Sequence, residues 1–310
     1  MLVDAHVHFF DYDAAPDLRW SWLESDDGWP GGASRTGSGA AGSAVGSGAG
    51  ESGAGASMAA VRSRRFTPFE LWAEAGRLTG LTKCVHVESA HGSADSVRET
   101  AYLAELRERH GAPHAAVVRV ELDGPDLDRR LDEHCRYGFV RGVREPGKSG
   151  VLDTDAYVEG VRRLGERGLI FEVYCSAKRF AALGELARRS PDTPIVLEHF
   201  GVPPRPGSDR FDGWREALHR LAERPNVLLK TSGLGLMASD WTFAEAEALM
   251  TESLSAFGVQ RCVFGSNFPV DRAMSSYPDA YVAVERAAGH LTEEQRHALF
   301  VSNAEALYRI

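Results

Sequence analysis

Two rhythms alternate along the chain. Short, nearly continuous apolar runs stand at residues 2–7 (LVDAHV), 82–88 (TKCVHVE), 114–122 (HAAVVRVEL), 138–144 (GFVRGVR), 168–175 (GLIFEVYC), 193–199 (TPIVLEH), 226–232 (NVLLKTS) and 261–267 (RCVFGSN). Runs of this length, rich in β-branched residues, suit strands buried on both faces. Between most of them lie stretches with helical spacing of apolar positions, at 93–111, 153–168 and 211–225, ending in Gly or Pro where helices stop. Thr292 and Gln295 stand as a capping box ahead of closing helices through ALFVSNAEALYRI. Eight strands alternating with helices predict a single-domain α/β fold over 1–310, a parallel (β/α)8 TIM barrel. A doubly wound sheet is the alternative, but no glycine-rich phosphate fingerprint follows the first strand.

Two segments break the rhythm. In residues 31–57, 23 of 27 positions are Gly, Ser or Ala, too few apolar groups to repay ordering, which predicts a flexible insertion after strand 1. Just before it, DLRWSWLESDDGW (17–29) carries Trp20, Trp22 and Trp29 in a polar context. It reads equally as a lid over a pocket, with Trp20 against substrate, and as a loop pinned to the barrel rim.

Composition narrows the function. A net charge of −9 and a pI near 5.7 argue against nucleic-acid binding, which needs a basic surface. No stretch approaches a membrane span, and the first residues lack a basic and then apolar leader. Four scattered cysteines (Cys84, Cys135, Cys175, Cys262) form no CxxC pair, as expected of reduced thiols in a cytoplasmic protein.

Candidate chemistry lies where a barrel keeps it, at the C-terminal strand ends. Side chains at i and i+2 of a strand share a face, so Asp4, His6 and His8 point together. Two imidazoles on one face form a metal-ligand pair, a proton-transfer pair, or core histidines satisfied by hydrogen bonds. The other strand ends offer His86 and Glu88, Arg141 and Arg144, Glu172 and Tyr174, Glu198 and His199, Lys230, and Asn267 with Asp271 behind it. Alternation predicts that Glu198 and His199 cannot both face the lumen. His86 reads as a core histidine. His110, His134, His219, His290 and His297 fall on helical stretches and are expected to face solvent.

The motifs DAHVHFFD, FVRGVREP, IVLEHFGVP, NVLLKTSGL, CVFGSNFPVD and NAEALYRI, in this order, resemble the amidohydrolase superfamily. The branch they resemble is the amidohydrolase-related one that contains sugar and dicarboxylate lactonases. The resemblance covers the chain apart from 31–57. It implies that His6, His8 and His199 surround one divalent metal, zinc or manganese, or work without metal as in some lactonases. It also implies an aspartate on strand 8. Here the chain departs: position 267 is Asn, which has no titratable acceptor for a proton. Asp271, four residues on, is the substitute base expected first. Strand 5 lacks the histidine of binuclear members, so a mononuclear site is expected.

The resulting expectation is a hydrolase opening a lactone or related cyclic ester of a sugar acid or carboxylate metabolite. His6, His8, His199, Asn267 and Asp271 would be catalytic, and Arg144, Arg141, Tyr174, Lys230 and Trp20 substrate-binding. Arg144 would clamp a substrate carboxylate, and Lys230 would stabilise an oxyanion or pair with a carboxylate. The partner is a small molecule rather than nucleic acid or membrane, with homo-oligomerisation left open. Two alternatives stand beside it: a metal-dependent non-oxidative decarboxylase, against which Asn267 counts, and a non-catalytic barrel binding a sugar acid or a protein.

Overall fold

A computed structural model describes residues 1–21, 61, 65–146, 151–237 and 240–310. The low-complexity stretch 31–57, Trp22 and Trp29 lie outside them. The strands are β1 (Leu2–Val7), β2 (Leu81–Val87), β3 (Ala115–Val118), β4 (Val140–Pro146), β5 (Ile170–Tyr174), β6 (Ile195–Leu197), β7 (Val227–Thr231) and β8 (Cys262–Phe264). They form one sheet in the order β1-β2-β3-β4-β5-β6-β7-β8, with every neighbouring pair parallel. Backbone past β8 closes it on β1: Asn267 N donates to His6 O (2.9 Å) and His8 N to Phe268 O (2.7 Å). Sequential order with closure is the (β/α)8 barrel, and the doubly wound alternative falls.

Helices cover the outside: α1 (Pro68–Thr79), α2 (Val97–His110), α3 (Leu127–Cys135), α4 (Asp155–Glu166), α5 (Phe180–Arg189), α6 (Phe211–Ala222), the short α7 (Leu234–Met237), α8 (Phe243–Phe257), α9 (Tyr277–Ala287), α10 (Glu293–His297) and α11 (Asn303–Tyr308). In α4 the spacing works as read: Tyr157, Val158, Val161 and Leu164 are buried, each contributing about 1.5–3 kcal/mol of burial. The capping box at α10 is present, with Thr292 N donating to Gln295 Oε1 (2.9 Å) and Gln295 N to Thr292 Oγ1 (3.2 Å). Among the described residues, no helix is long and apolar enough to cross a membrane.

Two expectations about orientation fail. His134 on α3 does not face solvent; it is fully buried against α2, with Thr100 Oγ1 2.7 Å from Nδ1 and Ser96 Oγ 3.1 Å from Nε2. Arg141 does not reach the C-terminal rim. It lies at the start of β4, where its guanidinium donates to the carbonyls of Gly138, Val140 and Tyr308 and ties the last helix to the barrel floor. It stands three positions before Arg144 on β4, enough to place the two at different levels of the barrel.

Candidate active site

β1 delivers His6 and His8 to the rim because the strand's alternation carries both imidazoles inward. Asp4, on the same face, is a structural tie. Its Oδ1 accepts from His6 N (3.1 Å) and Ser266 N (2.9 Å), and Oδ2 from Tyr277 OH (2.9 Å). His8 Nδ1 is 2.8 Å from Val87 O; a carbonyl only accepts, so the proton is on Nδ1 and the lone pair on Nε2. That lone pair faces His6 Nε2 at 3.1 Å, close to the ~3.3 Å spacing of two ligands on one tetrahedral zinc with ~2.05 Å bonds. Burial keeps these imidazoles neutral, outweighing the Glu198 charge beside His199: His8 and His199 are pushed down to about 3, and His6 lies well below its ordinary value.

β6 ends early, and this overturns the expectation that Glu198 and His199 cannot share the lumen. Glu198 is extended, but His199 and Phe200 take left-handed conformations (φ 54 and 53), which cancels the strand alternation at a cost of roughly 1–3 kcal/mol each. His199 is then held by Ser232, 2.9 Å from its Nδ1. It rests over Gly233, where a Cβ would stand 2.7 Å from that nitrogen.

Glu198 is the site carboxylate that strand alternation hid. Its Oε1 lies 3.9 Å from His6 Nδ1, and its Oε2 3.9 Å from His199 Nε2. Both Glu198 Oε1 and His6 Nδ1 are buried without a hydrogen-bond donor. With His6 Nε2–H donating to His8, these two atoms are acceptor facing acceptor, an arrangement a cation or a proton would relieve. His6, His199 and Glu198 bring ligand atoms within 4.8 Å of one another. Imidazole nitrogens with one carboxylate suit zinc or a similar divalent ion, so the residues present fit such a group.

Arg144 is not positioned as a free clamp. Its Nε and Nη2 meet Glu198 Oε2 (3.1 and 3.0 Å), and its Nη1 meets Glu88 Oε1 (2.9 Å). Burial alone would raise Glu198, but the charges of Arg144 and Lys230 outweigh it and hold the carboxyl below the usual range. Glu88 is brought down against burial to about 2 by His91 and Arg144. Lys230 is fully buried on Glu172 (2.5 Å), whose other oxygen accepts from Tyr308 OH (2.5 Å); burial raises Glu172 to about 7. Lys230 therefore takes the carboxylate-pairing role of the two expected.

The remaining expected residues divide. The Tyr174 ring meets His199 edge-on at 5.5 Å between centroids. Trp20 is buried against Phe10 and Tyr12, its Nε1 donating to Ser89 Oγ (3.2 Å), in the manner of a pinned loop. His86 is satisfied as a core residue, accepting from Phe9 N (3.1 Å) and lying 3.2 Å from Glu99. Asn267 is buried and left-handed (φ 59). Its Nδ2 donates to Asp271 Oδ1 (2.8 Å) while Gly235 N donates to Oδ2 (3.0 Å). Asp271 is thus bonded to Asn267 and α7, and its carboxyl is raised by burial to about 7.

The sequence profile described as Amidohydrolase matches residues 3–310. An uncharacterized protein of Sinorhizobium fredii is 34% identical over 242 residues, 74% of this chain and 81% of that protein. A protein of Burkholderia multivorans named L-fucono-1,5-lactonase is 32% identical over 230 residues, 68% of this chain and 77% of its own length. A crystal structure of an amidohydrolase from Burkholderia multivorans with bound zinc superposes with a TM-score of 0.79 at 26% identity, covering 100% of this chain and 99% of that one. A profile matched nearly end to end, on a barrel whose histidines and carboxylate meet at one rim, places this chain in the amidohydrolase family of hydrolases.

Proposed function

We propose that the chain opens a lactone of a sugar acid or related carboxylate metabolite by attack of water at the His6–His199–Glu198 cluster. The observation that carries this reading is the buried pair Glu198 Oε1 and His6 Nδ1, two acceptors 3.9 Å apart without a donor between them. Buried acceptors left unpaired cost stability and mark a place where a positively polarised group is meant to sit. The relative named L-fucono-1,5-lactonase supports a lactone as the substrate class. A divalent ion held at the converging nitrogens of His6 and His199, beside Glu198, would supply Lewis acidity at the lactone carbonyl, so that a weak base suffices. Glu198, kept ionised by Arg144, takes a proton from the attacking water. As the ring C–O bond breaks, it returns that proton to the leaving oxygen, giving the hydroxy acid. Asp271 acts behind the site: as an acceptor bonded to Asn267 Nδ2, it turns the amide oxygen away from itself. Tyr174 lines the rim beside His199. His199→Ala should abolish turnover across a lactone panel while leaving the circular dichroism spectrum unchanged; undiminished turnover in that variant would overturn the assignment.

A further inference from the structure

The loop after β2 is polar, yet Ser89, Ala90 and Ser93 are buried. One oxygen, Glu99 Oε1, accepts from Ser89 N (2.8 Å), Ser89 Oγ (2.9 Å) and Ala90 N (3.0 Å). From the other side, Gly92 N donates to Arg19 O (3.1 Å). A Cβ on Gly92 would meet Arg19 Cβ at 3.0 Å, so a bare glycine permits the approach. A rim loop fixed from both sides is built to hold a side chain in place. The side chain it presents is His91, 30% exposed, whose Nδ1 stands 2.8 Å from Glu88 Oε2 as an ion-pair contact out of line for a hydrogen bond. The other oxygen of Glu88 receives Arg144 Nη1 (2.9 Å), and the opposite edge of that guanidinium meets Glu198 Oε2 (3.0 Å). His91, Glu88, Arg144 and Glu198 thus form one chain from the solvent edge to the carboxylate facing His6.

We infer that His91 is a positioning residue, which through Glu88 and Arg144 fixes where the Glu198 carboxylate stands relative to His6 and His199. The inference rests on the reading of that cluster as the reaction centre. With Oε1 bonded to Arg144 and Oε2 standing against the His91 ring, the Glu88 carboxylate is confined between the two side chains. The planar Arg144 fork transmits that constraint to Glu198 because its donors are rigidly coupled. Without His91, Glu88 gains freedom to rotate, the guanidinium follows it, and Glu198 shifts. A displacement of about 1 Å at a reacting group can cost on the order of a hundredfold in rate.

The test compares crystal structures and steady-state kinetics of the wild type, His91→Ala and His91→Asn, since the Asn amide offers an N–H at a similar reach. His91→Ala should move or rotate the Glu198 carboxylate by about 1 Å. It should also lower kcat roughly 10- to 100-fold with KM within about twofold, the signature of lost transition-state rather than ground-state binding. His91→Asn should restore both. An alanine variant with Glu88, Arg144 and Glu198 in their wild-type places, or with wild-type kcat, would overturn the inference. Should the wild type open no lactone at all, the functional reading fails, and the carboxylate positions alone decide the role of His91.

Discussion

At position 267 an amide stands where the resemblance implies a carboxylate, and its neighbours show how the site is arranged around it. Asn267 cannot take a proton; Asp271 is bonded to it and to Gly235 N, whereas Glu198 is 3.9 Å from two of the three histidines. The two carboxylates differ in how they titrate. Glu198 is held below the usual range and His8 and His199 at about 3, while burial raises Asp271 to about 7. Proton transfer to Glu198 therefore predicts that kcat/KM stays flat as pH falls from 8 to about 5, because the base remains ionised and the histidines neutral. An acid limb near pH 7 that vanishes in Asp271→Asn would assign the base to Asp271 instead. His6 and His8 were legible in the sequence because spacing by two is the geometry of a strand face. Glu198 was discounted by the same alternation rule, which the left-handed turn at His199 cancels. His91 lies in a loop without periodicity, so no pattern in the sequence could mark it.

Eight strands were readable from apolar runs, but their ends were not. The run 193–199 shrinks to Ile195–Leu197 and 261–267 to Cys262–Phe264, because the chain leaves extended geometry as soon as it must aim functional side chains inward. Glycines at those ends make the room. At Gly233, φ is +73 and a Cβ would press on the His199 ring at 2.7 Å. Gly233→Ala should therefore displace His199, lower kcat/KM at least tenfold, and cost roughly 1–3 kcal/mol of stability from strain and overpacking. Chemical denaturation and lactone kinetics check both parts. A variant with wild-type stability and rate would mean that β7 can retreat from the imidazole.

Across the whole barrel, helix spacing showed which segments are helical, but the orientation of single polar residues depended on neighbours far away in sequence. His134 is the clearest instance. Burial holds it at about 4, below the 6.5 it has when exposed, so between those values the unfolded chain binds a proton that the folded chain refuses. Its contribution is intact above pH 6.5 and is lost as pH falls toward 4, about 3 kcal/mol in all. The unfolding free energy of the wild type should fall more steeply from pH 7 to 4 than that of His134→Asn; parallel profiles would contradict this. The closing helix reaches the barrel interior as well, with Tyr308 OH on Glu172 and Lys230 on the same carboxylate. Tyr308→Phe should destabilise the barrel by about 1–3 kcal/mol, the cost of a buried acceptor losing its donor, measured by urea unfolding. The central claim is that Glu198, among neutral histidines, handles the proton in lactone hydrolysis. Its most direct test is acid release from a panel of sugar lactones by the wild type and Glu198→Gln in a pH-stat. Turnover by the wild type, reduced roughly 10²- to 10⁴-fold in a folded Glu198→Gln, is the predicted result. A folded Glu198→Gln that hydrolyses the panel as fast as the wild type would contradict it.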